Sequence, residues 1–305
     1  MKPIGNKLFI VLALTLLSTL VVAQQPYAFK VLATSGNAEI KKANTWVPLR
    51  SGANLIDSDD VRLGTKSYVG LVHSSGKSKE LKSSGVYNVK ALANSLGKGT
   101  SVVLKYFDFI LSKNSDEARQ NRLIAVGSVT RTSFKEDILV RLPENRLADM
   151  LNHKAIIAWE SKADSLGPFV VSIQNLSNEE LFSIETADRS VMIDFNRPEL
   201  KTEFNFLVEV RNKNNRSLKS DQYLIKRLQL EHQQKFNAEL AKLSKDMDAE
   251  SAMSKIMLAG YYESNYLLID AIIAYEEAIR LAPEVSFYRE AYEEFLLRNR
   301  LKFQK

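Results

Sequence analysis

Cysteine is missing altogether from the 305 residues. Disulfides, thiolate zinc sites and thiol catalysis are therefore excluded, and stability has to come from packing. Histidine is almost as scarce: the 3 in the chain, His73, His153 and His232, lie far apart and give no local spacing for a metal cluster. Beyond the first 23 residues no apolar run is long enough to span a bilayer. A strong charge of one sign is also lacking. Removing Lys2 and Lys7 with a leader leaves 40 basic against 36 acidic residues, a formal +4 spread along the chain. That excess is too small to argue for a nucleic-acid partner.

What is present begins with an address. Residues 1–23 have a short basic start, an apolar run of 15 residues from Leu8 to Val22, and small residues Val21 and Ala23 where a signal peptidase accepts them. Cleavage is expected after Ala23. The alternative is an uncleaved anchor, the one route by which the chain would meet a membrane, but the run is shorter than the ~20 residues a spanning helix needs. No cysteine follows the run, so a lipid anchor on cysteine is excluded. The expected location is periplasmic or secreted, and the length allows two or three domains.

Residues 24–142 begin with a turn-punctuated β-pattern. Apolar and polar residues alternate from Phe29 to Ile40 around Gly36, and Trp46-Val47-Pro48-Leu49 leads into Ser51-Gly52. Val61-Arg62-Leu63-Gly64, the run Ser67 to Val72, a turn at Ser74-Ser75-Gly76-Lys77 and Val86-Tyr87-Asn88-Val89 continue it. The glycine-led strand Gly36 to Ile40, Trp46, Leu49, Gly52, Asp60-Val61-Arg62-Leu63-Gly64, the Ser67 to Val72 strand and Gly76 together resemble the FecR-like domain. The resemblance spans about a fifth of the chain, residues 30–92. It implies a β-fold and an extracytoplasmic setting. Sigma-factor control is not carried over, because the leader directly precedes the module.

Three local patterns in this module read as turns. Gly76-Lys77-Ser78 lacks the glycine a phosphate-binding loop needs five positions earlier, where Leu71 stands. Ser74 and Lys77 have the spacing of an activated serine, but at a hairpin tip they do not share a helical turn. Asp57, Asp59 and Asp60 lack the glycine and distal glutamate of a calcium loop.

A helix capped by Thr100 or Ser101 is expected to carry Val102, Val103, Tyr106, Phe107, Phe109 and Ile110 onto a neighbouring sheet. Ser115-Asp116-Glu117 reads as a second capped start, and a strand pair is expected around Ile124 to Thr130 and Ile138 to Leu142. Residues 143–212 then offer five alternating segments: Ala155 to Trp159, Phe169 to Ile173, Leu181 to Ile184, Val191 to Phe195 and Phe204 to Val210. Such a unit is expected to be a small antiparallel sandwich, and it resembles the immunoglobulin or fibronectin type III class with Trp159 in the core. Arg211 to Arg216 reads as a polar, basic linker.

Residues 217–305 are expected to be helical, with Leu224, Leu228, Phe236, Leu240, Leu243 and Met247 on one face and His232 on the same stripe as a packed or edge residue. Leu258, Ala259, Tyr262, Ala271, Tyr275, Ala278 and Pro283 resemble a tetratricopeptide repeat in which Ala259 replaces the usual glycine and Lys255 the tryptophan. One repeat does not bury its own faces. The preceding helix and a last one carrying Phe287, Tyr288, Ala291, Tyr292, Phe295 and Leu296 are expected to substitute for the missing units.

The expected architecture is thus multidomain, β then α: a FecR-like module, a small sandwich and a helical bundle. No catalytic, cofactor or metal residue is assigned, and the expected function is non-enzymatic: an exported scaffold or recognition module with an envelope protein as partner. The alternative is a glycan or peptidoglycan binder using aromatics such as Tyr68 or Tyr87. A hydrolase would need a carboxylate pair across a cleft.

Overall fold

The computed structural model describes residues 27–97, 102–115, 117–121, 137–143, 147–161, 167–245 and 247–302. The expected cleavage point at Ala23, the caps Thr100 and Ser101 and the strand at Ile124 to Thr130 lie outside these residues.

The N-terminal unit consists of strands β1 (Phe29–Ser35), β2 (Ala38–Lys42), β3 (Thr45–Pro48), β4 (Asn54–Leu55), β5 (Asp60–Leu63), β6 (Tyr68–His73), β7 (Ser78–Leu81) and β8 (Gly85–Asn88). They form two antiparallel sheets, ordered β4-β1-β6-β7 and β3-β2-β5-β8. Alternation along the strands puts Phe29, Val31, Ile40, Val61, Leu63, Val69 and Leu71 into one core between them. Gly36 turns the chain at φ +70, and a Cβ there would stand 2.7 Å from Ser67 Oγ, so only glycine fits. Strand β8 ends earlier than the sequence suggests, because Asn88 caps helix α1 (Val89–Asn94) by accepting the Ala91 N–H at 3.1 Å.

Strand β6 is buried on both faces. Val69 and Leu71 point into the sheet pair, while Tyr68 and Val72 point the other way, into the helical core. A continuous apolar run, rather than strict alternation, is the signature of such a doubly covered strand.

After helix α2 (Val102–Lys113) come β9 (Ile138–Val140), β10 (Asp149–Met150), β11 (Lys154–Ser161), β12 (Phe169–Gln174), β13 (Glu180–Thr186), β14 (Ser190–Asp194), β15 (Asn205–Asn212) and β16 (Tyr223–Arg227). One sheet has the order β10-β16-β15-β12-β13 and the other β14-β11-β9. Trp159, Phe169, Val171, Ile173, Phe195, Phe206 and Val208 share one core, with Trp159 edge-on to Phe169 at 5.4 Å. All five expected strands are found. The segment Arg211 to Arg216 is not a linker between units, since Arg211 and Asn212 end β15 and residues 213–216 lie in its connection to the paired strand β16. Asn212 Oδ1 tightens that connection by accepting the N–H groups of Asn214 and Asn215 at 2.9 Å each. Leu224 accordingly sits in a strand, and the helical end starts at Leu230 rather than near Ser217.

The helical end comprises α3 (Leu230–Ser244), α4 (Ala252–Ser264), α5 (Leu268–Leu281) and α6 (Ser286–Arg298). Helix α4 is buried almost all round, as its apolar composition on every face requires. It starts at Ser251, whose hydroxyl accepts the Ser254 N–H at 3.0 Å. Helix α2 reaches the first sheet through the shared core and the Lys30–Asp108 ion pair at 2.9 Å, but its main partner is another helix. It packs on α4, and Val103, Tyr106, Phe107 and Ile110 join the helical core. Gly260 permits the approach, for a Cβ there would lie 2.9 Å from Ile110 Cγ1 and 3.3 Å from the Tyr106 carbonyl. The layout is β-rich first and helical last, as expected, and the helices touch both β-units.

Candidate functional site

Two seams hold the helical end to its neighbours, and each contains a carboxylate that accepts backbone N–H groups. At the first, Leu32, Ala33, Tyr68 and Val72 pack against α4 and α6. Tyr68 donates to Glu80 Oε1 at 2.8 Å, and its oxygen lies 2.7 Å from the Tyr288 hydroxyl. The same Glu80 oxygen accepts the Met253 N–H in the first turn of α4 at 2.9 Å, where negative charge is favoured. Burial, with Tyr288 and Glu80 beside it, pushes the Tyr68 phenol far above its usual range.

At the second seam Asp270, in the first turn of α5, accepts from Leu151 N at 2.8 Å, Asn152 N at 2.9 Å and Asn152 Nδ2 at 2.7 Å. Burial raises the Asp270 carboxyl, and these three donors pull in the opposite direction. Tyr262 stands beside it, its phenol pushed up to about 12 by burial. Within the bundle Arg298 forms a two-pronged pair with Glu263, at 2.5 and 2.7 Å, and the Tyr275 hydroxyl donates to the same carboxylate at 2.9 Å.

A cleft of about 290 Å³ opens where the second β-unit, α3 and the turn between α4 and α5 meet. Its apolar lining is Leu147, Leu228, Phe236 and Leu267, and its polar lining includes Asp149, His232 and Lys235. The turn is built as a helix C-cap: the Tyr266 N–H donates to the Glu263 carbonyl at 3.1 Å and the Leu267 N–H to the Tyr262 carbonyl at 2.9 Å. Asn265 adds a side-chain bond to the Tyr261 carbonyl at 2.8 Å. Tyr266 takes the left-handed conformation at φ 59, and its side chain is 66% exposed on the cleft rim. Asp149 is neutralised by Lys226 at 3.1 Å, whereas Lys235 has no ion-pair partner among the described residues. His232 was legible as an edge residue of its helix. Tyr266 carried no periodic signal, because its role comes from the turn.

A second, more open cleft of about 620 Å³ is lined by Tyr27, Ala28, Ile56, Asp57, Ser58, His73 and Ser74 in the N-terminal unit. His73 Nδ1 accepts the Ser75 N–H at 3.1 Å and lies 2.8 Å from the Ser75 hydroxyl, so the neutral ring carries its proton on Nε2. Burial lowers the His73 pKa.

The sequence patterns that invite catalytic or metal readings resolve into turns. Ser74 to Lys77 is the β6–β7 hairpin tip, with His73 N donating to the Lys77 carbonyl at 2.8 Å and Gly76 at φ 91. Asp59 is buried and accepts the Ile56 N–H at 2.9 Å and the Lys42 ammonium at 3.3 Å, while Asp60 accepts from Asn88 at 3.1 Å. Among the described residues no group of three or more His, Cys, Asp or Glu is placed to hold a metal ion. Tyr68 is only 1% exposed and offers no stacking face, and Tyr87 is half-buried with its hydroxyl on the Ser83 carbonyl at 2.7 Å.

No protein-family model and no curated protein matches the chain. Among the described residues no helix is long and apolar enough to cross a membrane.

Proposed function

We propose that the protein is an exported, non-enzymatic scaffold of the cell envelope. In this reading a FecR-like module and an immunoglobulin- or fibronectin-like sandwich are held by a tetratricopeptide-like bundle that presents a surface to a protein partner. The observation that supports it most is the shared helical core, in which Leu32, Tyr68 and Val72 of the first unit and Leu151 and Leu228 of the second pack with α4 and its neighbours. Such packing fixes the relative positions of the surfaces, which is what a multivalent scaffold requires. A pull-down from envelope extract at low salt, with the folded mature protein as bait, is expected to return a specific partner. An empty pull-down overturns the reading. N-terminal sequencing of the exported protein is expected to begin at Gln24, and a retained leader would replace cleavage with anchoring.

The open cleft around Tyr27 and His73 supports a second reading, glycan binding, because it combines an aromatic wall with Asp57, Ser58 and Ser74 as hydrogen-bonding groups. Co-sedimentation with peptidoglycan that disappears in Tyr27→Ala supports it. Co-sedimentation unchanged by that substitution removes it.

A further inference from the structure

The turn between α4 and α5 contains a residue that is unfavourable for the fold. Position 266 completes the helix cap in the left-handed region, where glycine is the usual occupant because any Cβ is strained. Among the described residues, the non-glycine positions with positive φ are Ala43, Lys66, Asn178, Tyr266 and Arg300, and of these Tyr266 alone is aromatic. Its ring is mostly solvent-exposed, and its hydroxyl has no hydrogen-bond partner among the described residues. A strained, exposed aromatic gains the fold nothing at this position. Its placement on the rim of a cleft gives it something to do.

The charges around the cleft identify the occupant. With Asp149 paired to Lys226 and the Asn265 amide bonded to the Tyr261 carbonyl, the polar groups of the lining left to meet a ligand are the Lys235 ammonium, the His232 imidazole and the Tyr266 hydroxyl, of which the ammonium sets the charge. The floor is apolar, and about 290 Å³ is at the small end of ligand clefts, which run ~300 to 1,000 Å³. It accommodates one large side chain and its neighbour, not a folded domain. We propose that this cleft docks an extended peptide segment of the partner, seating a large apolar side chain on Leu228, Phe236 and Leu267 and an adjacent carboxylate on Lys235 and His232, with Tyr266 closing over the segment. The proposal rests on the scaffold reading and names the chemistry of its partner.

The test uses the full mature chain and fluorescein-labelled octapeptides, one with a central Phe-Asp pair and controls with Phe-Lys or Ala-Asp. The Phe-Asp peptide is expected to saturate, with both controls at least ~10-fold weaker. Lys235→Glu is expected to reverse the preference toward Phe-Lys. Tyr266→Gly is expected to weaken Phe-Asp binding by at least ~10-fold while raising the melting temperature, a combination that a purely structural tyrosine does not give. Equal binding of the three peptides, or undiminished binding by Tyr266→Gly, overturns the proposal. The envelope pull-down separates the two levels. A partner retained by Tyr266→Gly overturns the cleft and leaves the scaffold standing, whereas the absence of any partner for the unaltered protein overturns the scaffold itself.

Discussion

The two β-units are attached to the same helices by different physics. The first offers the bundle a sheet face, with Leu32, Ala33 and Val72 around a single large side chain, Tyr68, whose hydroxyl is satisfied by Glu80 and Tyr288. The second offers strand β11 and the loop after β10: Ile269 of α5 is buried in its apolar core, and beside it the backbone N–H groups at Leu151 and Asn152 converge on one carboxylate of α5. An apolar seam depends on volume and tolerates modest changes of detail. A polar seam built on a buried charge depends on every donor having its acceptor. The contrast is in what the bundle gives: it receives Tyr68 and its apolar neighbours from the first unit, and it supplies Ile269 and the Asp270 acceptor to the second.

The largest expected effect breaks the apolar seam. Tyr68→Ala should cost about 3–5 kcal/mol, because it opens a cavity between sheet and helices and removes a donor from Glu80. Urea denaturation checks it, and a cost below about 1 kcal/mol would mean that the seam is not a core.

Asp270→Ala attacks the polar seam. It leaves three donors without their acceptor and should cost about 3 kcal/mol. Asp270→Asn sharpens the comparison through pH. Burial raises the folded carboxyl above its unfolded value, so the folded state holds its proton more tightly. The stability linked to that proton is complete below the unfolded value of about 3.9 and is lost as pH rises through the folded one. The unaltered protein should therefore lose stability relative to Asp270→Asn as pH rises from about 4 toward neutrality. Denaturant midpoints across this range decide it. Other shifted carboxyls, such as Glu180, are common to both proteins and cancel in the difference.

Within the bundle that both seams share, Ala271→Leu should overpack α4 against α5 by about 1–3 kcal/mol, since Ala271 is fully buried between them. An unchanged melting temperature would argue against the close helix pair. The smallest effect has the opposite sign. Tyr266→Gly should stabilise the chain by about 1 kcal/mol through relief of the left-handed cap, read as a rise in melting temperature.

Much of the local structure was legible. The alternating segments from Ala155 to Val210 are strands β11 to β15, and Leu258, Ala259, Tyr262, Ala271, Tyr275 and Ala278 fall on the paired helices α4 and α5. The structure departs from the local pattern where two elements compete for it. Leu224 and Leu228 fit a helical stripe continuing to Met247, yet Leu224 pairs with Leu207 of β15 because the sheet offers its backbone a partner. The candidate cleft was only partly visible. His232 and Phe236 were placed on one helix, but Tyr266, Leu147 and Leu267 come from other segments of the chain.

The sequence by itself determined the β-then-α layout, the absence of thiol chemistry, and much of which residues would be buried somewhere. Periodicity and composition are local properties and are written in every window of the chain. Only the tertiary structure decided what covers what. It set α2 chiefly against the glycine of α4, placed Tyr68 against Tyr288 220 positions away, and brought Asp270 to the N–H groups of Leu151 and Asn152. Those contacts satisfy buried surface and buried donors that no single segment satisfies alone, and several packings share the same local pattern until one of them closes.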